Sequence, residues 1–242
     1  MNTTSNWFVS WFDTAYYHIL YKDRDDTDAR IFMQNITSFL KLSNSTHILD
    51  LACGKGRHSV FLNSLGYKVT GVDLSENNIL AAKLKENDRL NFKVHDMRDS
   101  FSERYDAIFN LFTSFGYFED DVIDIQVLKN IKEGLTKNGI AVIDFLNVAI
   151  VKNSIVANEL KTIDGIDFHI HKKIKKGFII KEISFEDKGE KHTYVERVKF
   201  IDITKFTTYF EKSGLTIKHV FGDYDLSTYD KNSSKRLIFV VS

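Results

Sequence analysis

Residues Asp50 to Ser59 read DLACGKGRHS: an acid, then the single cysteine of the chain, then two glycines in a short turn. The stretch before it, HILDLA from His47, is a short continuous apolar run, and the residues after it keep helical spacing up to Leu65 and Gly66. Strand, glycine turn and helix in that order form the ligand-binding corner of an open α/β sheet. A dinucleotide fingerprint, G-x-G-x-x-G, needs a third glycine to let the helix pack close to the strand. Here Gly54 and Gly56 fit, but the third position is Ser59.

The acid adds to that departure. A carboxylate at Asp50 repels a diphosphate, whereas a ligand carrying a positive ammonium and a sulfonium tolerates or wants it. Asp73 closes the next strand, YKVTGVD, where a carboxylate can accept hydrogen bonds from both hydroxyls of a ribose. The turn therefore suits a nucleoside that brings positive charge and no phosphate.

Outward from the turn the pattern alternates. A helix is expected from Thr27 to Leu42, with Ile31, Phe32, Ile36, Phe39 and Leu40 as its apolar face. Another opens with Ser75 as N-cap and carries Ile79, Leu80 and Leu84 on one face, and a third carries Ile123, Val127, Leu128 and Ile131. Strands are expected near Leu90 to His95, Tyr105 to Phe112 and Gly139 to Leu146. From Lys161 to Ile201 the turn signals DG, KKG and DKGE separate runs rich in Ile, Phe, His and Val, which reads as an antiparallel meander. A helix from Thr204 to Ser213 follows, closed by Gly214, and then strands at Leu215 to Phe221 and Lys235 to Val241. A polar loop with no room for a crossover helix joins those two strands, so they must be antiparallel. The expected class is α/β: a seven-stranded, mostly parallel, doubly wound Rossmann-like sheet with a reversed last strand, plus a small antiparallel insertion. Residues 1–150 and 202–242 are the expected core with an N-terminal aromatic helical cap, and 151–201 an inserted β lid or substrate subdomain.

Composition narrows the function classes. Of 242 residues, 43% are hydrophobic and 27% charged, the balance of a globular protein that needs no disulfide or structural metal. Lys plus Arg equals Asp plus Glu at 33 each, so no global field attracts a polyanion, and a small-molecule partner is favoured over nucleic acid. No apolar run approaches the roughly 20 residues of a membrane span. The start, MNTTSNWFVS, lacks the basic and apolar parts of a secretory signal, so the expected location is the cytoplasm. His169 and His171 share a strand face, with His192 on a possible neighbouring strand; lacking a further ligand they suggest surface or pocket-lining residues, and no metal is expected. The run HKKIKKG reads as a solvated hairpin or, alternatively, as a clamp on substrate phosphate.

On these motifs the chain, from about Tyr17 to the C-terminus, resembles the class I S-adenosylmethionine-dependent methyltransferases, whose reversed last strand is a hallmark. Their first motif, acid-x-Gly-x-Gly-x-Gly, appears as DLACGKG with Ala52 in place of the first glycine. The resemblance implies that Ala52, Gly54 and Gly56 let the backbone approach the methionine and ribose, behind the acid Asp50. Asp73 would grip the ribose with Leu74 against the adenine, and Asp96 and Met97 in HDM would meet the adenine amino group and a ring nitrogen. In NLFTSFGY, Asn110 and Leu111 fall where a backbone carbonyl meets the methionine ammonium.

Amino-group methylation of adenine or glutamine in this superfamily uses a proline-rich stretch after the fourth strand, and the chain contains no proline. The Tyr-rich segment YYHILYKDR, the FTSFGY stretch and the antiparallel insertion resemble small-molecule N-methyltransferases of the amino-sugar type. Tyr17 and Tyr21 are then candidates to cover the sulfonium by cation–π attraction, and Arg24 to pair with the methionine carboxylate. Tyr117 is the candidate polar group at the acceptor, and Asp144 ends the fifth strand at the same edge. The implied function is methyl transfer to a small molecule, an amine nitrogen first, by in-line displacement in a monomer or homodimer, with S-adenosylhomocysteine as product. An RNA or protein methyltransferase and a non-catalytic S-adenosylmethionine sensor are the alternatives. Replacing Asp73 with Ala is expected to weaken donor binding strongly in calorimetry; unchanged affinity counts against the ribose role.

Overall fold

A computed structural model describes residues 7–22 and 26–242. Helices α1 (Trp7–Trp11), α2 (Ala15–Leu20) and α3 (Asp26–Phe39) precede the alternating part: β1 (His47–Leu51), α4 (Arg57–Ser64), β2 (Lys68–Asp73), α5 (Glu76–Lys83), β3 (Leu90–Val94), β4 (Tyr105–Asn110), α6 (Asp121–Gly134) and β5 (Leu135–Leu146). After α7 (Val148–Ser154) come β6 (Asn158–Ile163), β7 (Ile166–Lys175), β8 (Phe178–Asp187) and β9 (Glu190–Lys199), then α8 (Ile203–Ser213), β10 (Ile217–Phe221) and β11 (Arg236–Val241).

The main sheet has seven strands in the order β10-β11-β5-β4-β1-β2-β3. Strands β1 to β5 pair in parallel, and β11 runs antiparallel to both β5 and β10. The reversed last strand is thus present where the short polar link required it. β1 sits between β2 and β4, so chain order reverses beside it, and a crevice opens there at the carboxyl ends of the strands.

Both faces of the sheet are covered. Leu49, Leu51, Ile108, Ile143 and Phe239 face α6, α8 and the second sheet, while Ile48, Val69, Phe92, Ala107 and Ile238 face α3, α4 and α5. Some helix faces are narrower than expected. In α3, Phe32, Met33 and Ile36 are fully buried but Ile31 and Phe39 are partly exposed. In α5, Asn78, Ile79 and Ala82 face inward, whereas Leu80 and Leu84, four apart on the next face round, are exposed. β5 begins at Leu135, ahead of Gly139, because Leu135 pairs with Tyr105.

The second sheet is antiparallel, in the order β6-β7-β8-β9. Its three turns, Asp164-Gly165, Lys176-Gly177 and Lys188-Gly189, have positive φ at both residues, which matches the twist of the flanking strands. Phe168, Ile170, Ile183 and Phe185 point inward and join the core shared with α1 and α2.

Lys199, at the end of β9, ties this sheet to the rest. Its N–H donates to Gly116 O at 2.7 Å, and its Nζ donates to Asp124 Oδ2 at 2.5 Å and Asp121 Oδ1 at 2.7 Å from a site that is 3% exposed. Burial pushes the Asp124 carboxyl up to about 6, against the pull of Lys199. No helix among the described residues is long and apolar enough to cross a membrane. Lys199→Met leaves a buried carboxylate without its counter-charge and is expected to lower the unfolding free energy in urea by about 3–5 kcal/mol. Adding Asp124→Leu is expected to restore most of the loss.

Candidate functional site

A cavity of about 1190 Å³ lies at the carboxyl edge of the main sheet. Asp50, Ala52, Gly54, Asp73, Leu74, Asp96, Met97 and Leu111 line its floor and walls. Trp7, Phe8, Phe12, Tyr17 and Tyr21 cover it from α1, α2 and the residues around them, and Glu196 and Val198 from β9.

Strand, turn and helix are built around two acids. Asp73 closes β2 and binds both neighbouring segments: Gly54 N–H donates to Oδ2 at 2.8 Å, and Ser75 N–H to Oδ1 at 2.9 Å. Asp50, 3% exposed in β1, accepts from Ser59 Oγ at 2.6 Å. Ser59, which breaks the dinucleotide fingerprint, is the residue that holds the acid; the missing third glycine was its signal. Burial pushes the Asp50 carboxyl up to about 6, and the nearby Asp73 adds to that while Ser59 opposes it. Asp73 is also raised by burial, against its backbone donors. Among the described residues no cation pairs with either acid. Burial drives the Cys53 thiol far up, so it stays protonated and packs.

The glycine turn divides its tasks. Ala52 takes a left-handed φ of 66° and lines the cavity, as does Gly54, where a side chain would meet open space. Gly56 lies beneath the floor: a Cβ there would sit 2.5 Å from the Phe92 ring, so this glycine serves helix packing.

Past β3, Asn130 of α6 donates to Met97 O at 3.1 Å and Asp99 O at 3.0 Å, fixing the loop. Asp96 accepts from Arg98 N at 2.9 Å and from Nη2 at 2.5 Å. Burial raises its carboxyl, but these bonds win and hold it below the ordinary value.

Past β4 the backbone is strained. Asn110 is buried behind the cavity and donates to Leu51 O at 3.2 Å and Ser114 O at 3.1 Å, while Leu111 reaches the cavity. Phe112 and Thr113 then adopt left-handed φ of 57° and 66°, which costs about 1–2 kcal/mol for each non-glycine residue. Asp144, fully buried, holds them: its Oδ2 accepts from Phe112 N–H at 2.8 Å and its backbone O from Thr113 N–H at 3.0 Å. Arg236 donates through Nε to Asp144 Oδ1 at 2.8 Å and through Nη2 to Thr113 Oγ1 at 3.0 Å. The hydroxyl of Tyr117 donates to Thr113 O at 2.5 Å while its ring faces the cavity.

The roof is tied on two sides. Asp13 accepts from Ser75 Oγ at 2.5 Å and Asn77 Nδ2 at 2.7 Å across the crevice. On the other side Trp11 Nε1 and Tyr21 OH both donate to Glu196 Oε1 at 2.7 Å, and Lys181 approaches Glu196 Oε2 at 3.3 Å. Tyr17 sits edge-on to Tyr21, with ring centroids 5.0 Å apart. Arg24 lies outside the described residues. Asp13, Glu196, Arg236 and Tyr224 all line the cavity and carried no local sequence motif, because distant segments bring them there.

The histidines do not cluster. β8 separates His169 and His171 from His192, which stacks on Phe185 at 4.9 Å, and His171 pairs with Asn158 at 2.9 Å. Among the described residues no group of three His, Cys, Asp or Glu could hold a metal ion. In the run HKKIKK, Lys172 and Lys173 pair with Glu159 and Glu182, each at 2.5 Å.

Comparison with known proteins agrees with this architecture. Residues 48–139 match the family model described as "Methyltransferase domain". The putative methyltransferase YqeM of Bacillus subtilis is 34% identical over 107 residues, covering 43% of this chain and 43% of that protein. The chain thus matches less than half the length of this relative. Among solved structures, an S-adenosylmethionine-dependent methyltransferase from Clostridium acetobutylicum superposes with a TM-score of 0.79 at 17% identity, covering 94% of this chain and 95% of that one. The sugar N-methyltransferase KedS8 from Streptoalloteichus gives 0.71 at 18% identity over 93% of this chain and 92% of that one. At these identities the likeness is one of fold.

The raised Asp50 carboxyl has a consequence for stability. With a folded pKa of about 6 against an ordinary 3.8, the protonated form is favoured in the folded state. Stability from this group is full below about pH 4 and falls by about 3 kcal/mol as pH rises through 6. Asp50→Asn is expected to abolish that decline in denaturant titrations between pH 4 and 7 and to leave the ligand-free protein more stable at pH 7 than the parent.

Proposed function

We propose, from the premise that this chain carries a methyltransferase domain on the class I fold, that it moves a methyl group from S-adenosylmethionine to a small-molecule amine in the cytoplasm. The observation that carries this reading is the pair Asp50 and Asp73: a buried and a half-buried carboxylate at neighbouring strand ends, with no cation on either among the described residues. Such a pair rejects a diphosphate and suits a nucleoside that brings its own positive charge.

The residues fit that donor. Asp73 holds one backbone N–H on each oxygen, is also reached by the Asn78 side chain, and faces the cavity as an acceptor for ribose hydroxyls. Ala52 and Gly54 allow close approach of the backbone, Leu74 packs on the adenine, and Asp96 and Met97 meet its polar edge. Leu111 offers its carbonyl to the ammonium; Asn110 and Gly56 support from behind. Tyr17 and Tyr21 line the cavity and bring aromatic rings to the cationic part of the ligand, the Tyr21 ring also carrying Lys181 Nζ at 4.6 Å from its centroid.

The donor supplies an electrophilic methyl on a positive sulfur that departs as a neutral thioether. The protein aligns the acceptor with it; orientation of this kind contributes on the order of 7–11 kcal/mol in ideal cases. A neutral amine attacks unaided, whereas an ammonium must first lose a proton. Tyr117, whose proton is committed to Thr113 O, can act on the acceptor by accepting a hydrogen bond. Residues 151–201, including the second sheet, serve as the acceptor-side lid, and Glu196 and Val198 are its contribution to the cavity. The likeness in fold to a sugar N-methyltransferase supports an amine as the acceptor group.

Incubation with methyl-labelled S-adenosylmethionine and separated fractions of small metabolites, RNA and protein tests the reading. Label is expected in the small-amine fraction. Label in RNA or protein alone overturns the substrate class, and donor binding without label in any fraction identifies a sensor.

A further inference from the structure

We propose that Asp144 and Arg236 are positioning residues for this site: together they hold Phe112 and Thr113 in left-handed backbone and so fix Leu111 and Phe112 against the cavity. The inference rests on the methyltransferase reading and adds to it the device that sets the wall after β4.

Two successive non-glycine residues in the left-handed region do not stay there by preference, and Thr113 is β-branched, the type least tolerated in that region. Relaxing either one to the right-handed or extended region would swing the Leu111–Phe112 peptide out of place. Beside the Tyr117 hydroxyl on Thr113 O, the bonds that prevent this converge on two residues. Asp144 takes both N–H groups of the strained pair, one on its side chain and one on its backbone, and Arg236 takes the Thr113 hydroxyl. Arg236 in turn is oriented by Asp144 through Nε at 2.8 Å, with 17% of its side chain exposed and part of it in the cavity wall.

The topology explains the arrangement. Asp144 lies two residues before the end of β5, which runs parallel to β4, and so stands near the carboxyl edge. Arg236 begins β11 and reaches the same edge because that strand runs the other way, with Ile238 paired to Asp144 and Arg236 to Leu146. A buried ion pair kept for stability alone is a weak device, since apolar residues of like volume do as well. Here the remaining bonds of the pair go to one two-residue turn at the cavity wall.

Isothermal titration of S-adenosylmethionine into four proteins tests the proposal: the parent, Asp144→Asn, Phe112→Gly and the double variant, each checked for folding by its thermal melt. Asp144→Asn is expected to weaken binding at least tenfold in the parent. In the Phe112→Gly background the same change is expected to cost less than threefold, because Phe112 is the residue whose N–H the Asp144 side chain holds and glycine adopts the left-handed conformation without being held. A merely structural role lowers the melting temperature alike in both backgrounds and leaves the affinity of the folded protein unchanged. Equal losses of affinity in the two backgrounds, or none in either, overturn the positioning role. Should Asp144→Asn not fold, Arg236→Lys, which keeps the charge and removes the bond to Thr113, is taken through a cycle with Thr113→Gly, with the same outcomes. A parent protein that fails to bind the donor overturns the methyltransferase reading and this proposal with it; donor binding with equal losses overturns the positioning role alone.

Discussion

Two neighbouring carboxylates without a cation, Asp50 buried and Asp73 half-buried, are expensive for a folded chain, and the crevice of this protein is organised around that expense. Asp50 and Asp73 end up adjacent because β1 and β2 pair in parallel and stop at the same edge. Each is made tolerable by donors from its own turn: Ser59 for one, and the N–H groups of Gly54 and Ser75 for the other. Those bonds fix the glycine turn and the entry of α5, so the electrostatics of the site and its backbone geometry have one origin. A positively charged nucleoside brings what the pair lacks.

Strain follows the same map. Ala52, Phe112 and Thr113 all hold left-handed φ and all line the cavity, whereas Asp164, Lys176 and Lys188 hold it in hairpin turns where the twist of the strands demands it. Costly backbone at a cavity wall persists when surrounding bonds over-determine it. Around Phe112 and Thr113 those bonds come from β5, from β11 and from Tyr117. The roof is also built from remote pieces, with α1 and α2 suspended between Ser75 and Asn77 on the core and Glu196 on the second sheet.

The fold was legible because its signals are local. Period changes at HILDLA, the cap at Ser75, the closing Gly214 and the three glycine turns of the meander each report the backbone of their own neighbourhood, and the short link before Lys235 required the reversal of β11. The floor of the site was legible for the same reason: Asp50, Gly54 and Asp73 belong to strand ends next to turns. Leu80 and Leu84 misled because a run of apolar residues at helical spacing does not say which face the sheet will cover. Glu196 and Arg236 were illegible as site residues, since the register of β9 and of β11 decides where they point, and register is a property of the assembled sheets. At Gly56 the missing side chain also makes room for Phe92, a packing demand that the motif alone did not show.

The place of β11 between β5 and β10 also governs the order in which the molecule can be completed during synthesis. A ribosome delivers β1 to β5 first, and these can begin to pair as they emerge. While residues 236–241 are still inside the exit tunnel, β10 has no neighbour to join the sheet through, Asp144 lacks its guanidinium, and the edge of β5 stands open. Translation therefore passes through a stage in which the nucleoside floor exists and the wall beside Leu111 does not. Closure of that exposed flank, an unpaired strand edge of the kind that invites association with other chains, waits for β11.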